Sequence, residues 1–446
     1  MDRVSTDRES RDAGFDSVRA GYESALRSAM NPGRTRRLLA EHLVRVGRIA
    51  DSRDIWHAEV QSGEDGTRWM NDAIVDAMAT GDLAVAGELA GIFAASRWAS
   101  RWRPPRDSAG RELPLPTRTP NTYLSVPKLD HDMAQFGLLR QRGVLGAEFD
   151  AIIADYAKIA DRLRPLGTNS RSPMEADDER RIGHVYSRIV HVSEAGRLDH
   201  ALSKSWDRAA VQRQYLQESP GLVVIDDFLS PQALQALRRF CEESTVWSGN
   251  RYADGRLGAF FFAGFNCPLL LQIADELRVQ LPEVIGRRHP LRQLWGFKNS
   301  PNLPADSTVH ADFAAVNANF WITPESANLD PDSGGLVVYD VAAPLSWDFG
   351  TYNESLEYIR RYLHERQARA VTIPYRQNRA IIFNSDLFHA TAQIRFRPEY
   401  ENRRVNITML YGDREQDEHH PSPLRQPEPE AAAPYAWRSR AFRRGR

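Results

Sequence analysis

The chain has 446 residues, enough for two or three domains with full cores. With 42% hydrophobic residues, 26% charged residues and a formal net charge of -1, it has an ordinary globular composition, without a basic footprint for nucleic acid or an acidic tract. No apolar run reaches the roughly 18 residues of a membrane span, the start MDRVSTDRESRDAG lacks the apolar centre of a secretory signal, and Cys241 and Cys267 are not spaced for zinc. A cytoplasmic, reducing location is the expectation.

Residues 1–102 form a helical part: after a polar start, the chain from about residue 18 is rich in Ala, Leu, Arg and Glu with apolar spacings of three and four, which predicts amphipathic helices. Two segments align, LVRVGRIADSRDIW with Gly47 and AMATGDLAVAGELA with Gly81, and small residues (Ala50, Ala84) follow each glycine. The offset of 34 residues (81 − 47) and the glycine at an inter-helix turn resemble tetratricopeptide (TPR) repeats. His57 and Glu59 form an H-x-E within this region, but side chains two apart diverge on a helix. Packing and surface roles are expected for them, not a metal site.

Residues 103–128 are proline-rich and form a linker or a strap. Helical spacing returns in a connecting region, 129–218, where Phe149, Ile152, Ile153, Tyr156, Ile159 and Leu163 make one stripe. Within it the polar run GTNSRSPMEADDERR is expected to be mobile.

From residue 219 the pattern changes. Leu222 to Ile225 reads as a strand, followed by Ser230 as an N-cap and Pro231 at the first helical position. LRQLWGFKN (291–299) is a further strand. Beyond it come HADFAAVNANFWITP, then DSGGLVVYD with a glycine turn feeding a strand, then the strand RAIIFNSDLFHAT, and finally RRVNITMLYG.

An H-x-D pair, His310 and Asp312, opens this stretch, and His389 follows 77 residues after the aspartate (389 − 312). Alone, such a pair carries little, since roughly one arises by chance in a chain with 12 histidines. On a strand or strand end, however, residues two apart point to one face. Two imidazoles and a carboxylate on one face of an octahedral ferrous ion leave three positions open. Arg404 shares a strand face with Asn406 and Thr408, and a guanidinium grips a carboxylate with two parallel bonds.

In this order the elements resemble the Fe(II)/2-oxoglutarate-dependent dioxygenases, in the style of the prolyl-hydroxylase-like branch. The resemblance covers residues 219–412 and implies a double-stranded β-helix (jelly-roll) domain behind the TPR-like helical part, an α+β multidomain fold. It implies Fe(II) held by His310, Asp312 and His389, and 2-oxoglutarate anchored through its distal carboxylate by Arg404, with Arg395 and Arg397 as substitutes. Thr408, Asn406, Lys298 and Asn319 are expected to line the co-substrate site, and Asn317, Trp321 and Tyr339 the pocket. The implied reaction consumes O2, releases succinate and CO2, and uses a reductant such as ascorbate. An aspartate at position 312 argues for hydroxylation over halogenation.

The helical N-terminal part favours a protein or peptide substrate, since solenoid grooves bind extended chains; a small metabolite is the other candidate. A different class of function is a non-catalytic, TPR-like binding scaffold carrying a degenerate oxygenase barrel. Residues 413–446, rich in proline and charge, read as a disordered tail.

Overall fold

The computed structural model describes residues 32–117, 119–304, 308–416 and 420–421. Helices α1 (Pro32–Arg45), α2 (Ile49–Ser62), α3 (Glu64–Thr80) and α4 (Leu83–Trp98) come first. Gly47 and Gly81 sit between α1 and α2 and between α3 and α4 with φ of 77° and 81°, a conformation that costs glycine little. Asp82 caps α4 by accepting from the Val85 amide. The helices therefore form two glycine-turned pairs. They do not stand apart as a solenoid, because α4 packs on the rest of the chain through the helix Pro268–Gln280 and the turn Phe261–Ala263.

Strands β1 (Tyr123–Leu124) and β2 (Ser172–Pro173) pair across helices α5 (Val126–Gln141) and α6 (Glu148–Leu163). Of the stripe foreseen on α6, Phe149, Ile152, Tyr156, Ile159 and Leu163 are buried in one cluster with residues of α5, and Ile153 packs against it half-buried. The polar run after it is not a bare break. It holds β2 and helix α7 (Ala176–Ile182), because Glu175 and Asp178 form a reciprocal capping box and Arg162 pairs with Asp178 at 2.6 Å. Helix α8 (Arg208–Gln217) leads into the sheets.

The remaining helices are α9 (Pro231–Glu243), α10 (Pro268–Gln280) and α11 (Leu356–Glu365). Ser230 caps α9 by accepting from the Ala233 amide at 3.2 Å, with Pro231 in the first turn, as the sequence predicts. The remaining strands are β3 (Leu222–Ile225), β4 (Leu257–Phe260), β5 (Leu291–Lys298), β6 (Asn302–Leu303), β7 (Val316–Trp321), β8 (Leu336–Ala342), β9 (Ala370–Ile373), β10 (Ala380–Asn384), β11 (Leu387–Thr391), β12 (Ile394–Arg395) and β13 (Val405–Tyr411). A last ribbon pairs β14 (Glu415–Gln416) with β15 (His420–Pro421).

A six-stranded antiparallel sheet has the order β3-β10-β7-β13-β5-β4, and a three-stranded one the order β11-β8-β9; β12 pairs with β6. The run RAIIFNSDLFHAT is thus two strands and not one. Its Asn-Ser-Asp centre turns, the Asn384 side chain accepting from the Asp386 amide at 3.0 Å, and the halves join different sheets.

Register decides which side chains meet. One face of the large sheet carries Ile225, Leu294, Val316, Ala318, Phe320, Ile382, Ile407, Met409 and Tyr411, all in one core cluster with residues of α1 to α4, α9 and α10. That cluster runs from Ala40 to Tyr411, so the N-terminal helices and the large sheet share one core. The opposite face contributes Trp321, Ile381 and Phe383 to a second cluster with Leu336, Val338, Ile373, Leu387 and Ile394, which packs the two sheets face to face. Beyond the small sheet, α11 and Tyr352 close a third cluster over Phe388 and Ala390.

The expected tail boundary at 413 also moves. Arg414 is buried, ion-paired with Asp386 and stacked 4.0 Å over the Tyr352 ring, so the folded chain extends past it. The rest of the expected tail, apart from β14 and β15, lies outside the described residues.

Candidate metal centre

Between the two sheets, His310 and His389 face each other across an isolated antiparallel bridge. The His310 amide donates to the His389 carbonyl at 3.0 Å, and the return bond is 2.8 Å. Directly opposed residues project to one side, and the imidazole centroids are 4.5 Å apart. Ala311 points instead into the cluster under α11, which puts Asp312 back beside His310. Ligand atoms of His310, Asp312 and His389 lie within 4.8 Å of one another, and among the described residues no other group of three His, Cys, Asp or Glu side chains converges in this way.

Each imidazole is oriented by its own backbone. His310 Nδ1 donates to the Thr308 carbonyl at 2.6 Å and His389 Nδ1 to the Leu387 carbonyl at 3.0 Å. That bond fixes the tautomer and leaves Nε2 as the lone-pair donor. The two Nε2 atoms approach the Asp312 carboxylate at 3.7 Å and 3.4 Å. Burial, with the neighbouring His389, pushes His310 down to about 4, so it is neutral and able to ligate. Burial works to raise Asp312, but the neighbouring His389 and His310 imidazoles and the Asn317 amide together hold it below its ordinary value. Two imidazoles and one carboxylate suit a divalent first-row cation.

A row of amides leads away from the carboxylate. Asn317 Nδ2 donates to Asp312 Oδ2 at 2.6 Å, Asn319 Nδ2 to Asn317 Oδ1 at 2.5 Å, and Asn406 Nδ2 and Thr408 Oγ1 to Asn319 Oδ1 at 2.9 Å and 2.6 Å. The row exists because Thr408 lies opposite Asn319 and Asn406 opposite Trp321 where β13 pairs with β7. Next along β7 is Trp321, whose Nε1 is buried without a partner.

Arg404 stands beside it, its guanidinium 5.3 Å from the Trp321 ring. Arg404 is 2% exposed, and it donates only to the Gly334 and Gly335 carbonyls, at 2.5 Å and 3.2 Å. Among the described residues it pairs with no carboxylate. Burial, and behind it the nearby charge of Arg256, lowers it to about 10, where it is still a cation at neutral pH. A buried cation and an orphaned indole donor side by side fit an incoming carboxylate.

Two expected residues stand elsewhere. Lys298 is opposite Val405 in the register and so on the far face of the sheet; its Nζ donates to the Cys241 carbonyl at 2.9 Å and to the Tyr400 hydroxyl at 2.6 Å. Tyr339 alternates away from Val338 into the cluster under α11. Arg395 and Arg397 are exposed. His57 is buried against Ser96 and lowered to about 4 by burial, and Glu59 pairs with Arg36 and Arg37, as packing roles require.

No known protein family matches the chain, and no curated protein does. Among solved structures, it is similar to SnoK, a non-heme alpha-ketoglutarate-dependent carbocyclase from nogalamycin biosynthesis. That match has 13% identity over 48% of this chain and 87% of that one, with a TM-score of 0.33. A prolyl-4-hydroxylase from Pseudomonas putida matches at 14% identity over 47% of this chain and 100% of that one, with a TM-score of 0.30. HygX from Streptomyces hygroscopicus, with nickel and 2-oxoglutarate bound, matches at 13% identity over 45% and 86%, with a TM-score of 0.30. At such scores the likenesses carry no weight of their own, and the functional reading rests on the site's geometry.

Proposed function

We propose that the chain is an Fe(II)- and 2-oxoglutarate-dependent dioxygenase built on a double-stranded β-helix, and that it oxygenates a primary substrate. The convergence of His310, Asp312 and His389 within 4.8 Å, both imidazoles turned to present Nε2, carries this reading. In it the three side chains hold the iron, and Arg404 with Trp321 Nε1 receives the distal carboxylate of 2-oxoglutarate. Iron and 2-oxoglutarate bound there supply the oxidising chemistry, in which O2 is consumed and succinate and CO2 are released. Asn317 holds one Asp312 oxygen so that the other faces the metal. Asn319, Asn406 and Thr408 keep the wall between the two ends polar and in register, while Phe383, packed 4.9 Å from the His389 ring, excludes water on one side. The intact donor set speaks against the scaffold alternative.

Asp312→Ala is the test. Loss of succinate formation, with the circular dichroism spectrum and melting temperature retained, supports the assignment. A variant that still turns over 2-oxoglutarate at the wild-type rate removes Asp312 from the site.

A further inference from the structure

The large sheet's inner face is filled by core residues toward β3 and stays partly open toward β4. There the register puts Trp295 beside Thr408 and Phe297 beside Asn406, with Phe260 opposite Trp295 in β4. All three rings are partly exposed, and Tyr252 closes edge-on against Phe297 with centroids 4.8 Å apart. The platform therefore directly adjoins the amide row that runs to Asp312.

One charge belongs to this platform. Arg256, just before β4, lies over the Phe297 ring at 5.3 Å and the Tyr252 ring at 5.7 Å. Its Nε is buried without a hydrogen-bond partner, and among the described residues it forms no ion pair. Its charge acts on both His310 and Arg404, lowering each. A desolvated guanidinium held on aromatic faces, with the Asp254 charge nearby but in no direct ion pair among the described residues, costs stability, and an anion brought to it recovers part of that cost. A cleft reaches the same residue from outside, walled by the loop at Thr168 to Arg171 and by Asn250 to Leu257. The connecting region thus supplies one wall of the cleft beside Arg256.

We propose that this platform binds the primary substrate, a small molecule with a flat apolar body and an anionic group, carboxylate or phosphate. The body lies on Trp295 and Phe297 and the anion is held by Arg256. The proposal rests on the oxygenase reading for its purpose and replaces an extended peptide, which the sequence favours, with a compact anion. The rings supply the apolar area, and the cation orients the body so that one edge faces the metal.

Binding is measured on the metal-free full-length protein by tryptophan fluorescence, with naphthoate, naphthyl phosphate and neutral naphthamide as probes. One or both anions bind at least about tenfold more tightly than the amide, the discrimination a charge-assisted bond supplies. Which anion is preferred separates a carboxylate from a phosphate substrate. Arg256→Gln reduces the anions to the level of the amide, and Trp295→Leu weakens all three while keeping the preference for the anion. Equal binding of acid and amide, or an unchanged preference in Arg256→Gln, overturns the proposal. So does a peptide that stimulates 2-oxoglutarate turnover in a protein that binds none of the probes. Because the probe titrations need no iron, their failure is distinct from a failure of the wild type to bind iron and 2-oxoglutarate.

Discussion

His310, Asp312 and His389 are legible in the sequence because an H-x-D pair, a distant histidine and strand-like surroundings each leave a local mark. Their supports leave a weaker one. Asn317 and Asn319 are expected at the pocket from their place beside the iron motif, but only the register of β7 against β13 shows that they form a row ending at Thr408. Asn317 acts on the metal through Asp312, whose Oδ2 it binds at 2.6 Å. Asn317→Ala is expected to weaken ferrous-ion affinity by roughly 10–100-fold, as loss of such outer partners does, with Asn317→Asp failing to restore it because two carboxylates then compete. Calorimetric titration under argon checks this, and unchanged affinity assigns Asn317 to packing alone. Lys298 shows the converse: its charge and position suggest the site, but parity decides its face, and one residue of register separates it from Phe297.

At the scale of elements, the glycine turn before β8 is predicted by DSGGLVVYD, and the structure adds what it is for. Gly334 and Gly335 offer the carbonyls that hold Arg404. A Cβ on Gly335 would collide with the Ile373 carbonyl, so only glycine lets β8 approach β9 there. Gly335→Ala is expected to destabilise the fold by about 1–3 kcal/mol, the usual cost of overpacking, and to raise the 2-oxoglutarate concentration needed for turnover. Urea unfolding and co-substrate titration read the two effects, and wild-type values in both would show that the turn adapts freely. LRQLWGFKN reads as a strand in the sequence, and the register of β5 then puts Gln293, Trp295 and Phe297 on one face. Their exposure was not legible, because it depends on what lies opposite, and the sequence does not reveal that β4 is an edge strand.

For the whole molecule, the helical N-terminal part was legible as helices with glycine turns, while its attachment to the sheet was not. The shared core from Ala40 to Tyr411 comes from long-range packing that no local pattern encodes. Lys298 marks that helix-facing side of the sheet, lying 4.5 Å over Trp247 and 4.3 Å over the Tyr400 ring. Burial lowers it from 10.5 to about 7. Between those values the unfolded chain holds a proton that the folded chain has released, so the wild type gains stability as pH rises through this window. Lys298→Met lacks the linkage. Its stability minus that of the wild type is expected to fall with pH from about 7 upward, with a slope approaching 1.4 kcal/mol per pH unit. Urea melts at a series of pH values measure the difference, and a flat difference would mean that Lys298 keeps its charge in the fold.

The metal-centre reading is tested most directly by anaerobic titration of the full-length protein with ferrous iron and 2-oxoglutarate, followed by the visible charge-transfer absorption of the chelate. The wild type is expected to develop the band, His389→Ala to lose it, and Arg404→Gln to need at least about tenfold more 2-oxoglutarate, since a charge-assisted pair is removed. A wild type that binds neither iron nor 2-oxoglutarate contradicts the assignment of His310, Asp312 and His389 as the metal ligands and of Arg404 as the co-substrate anchor.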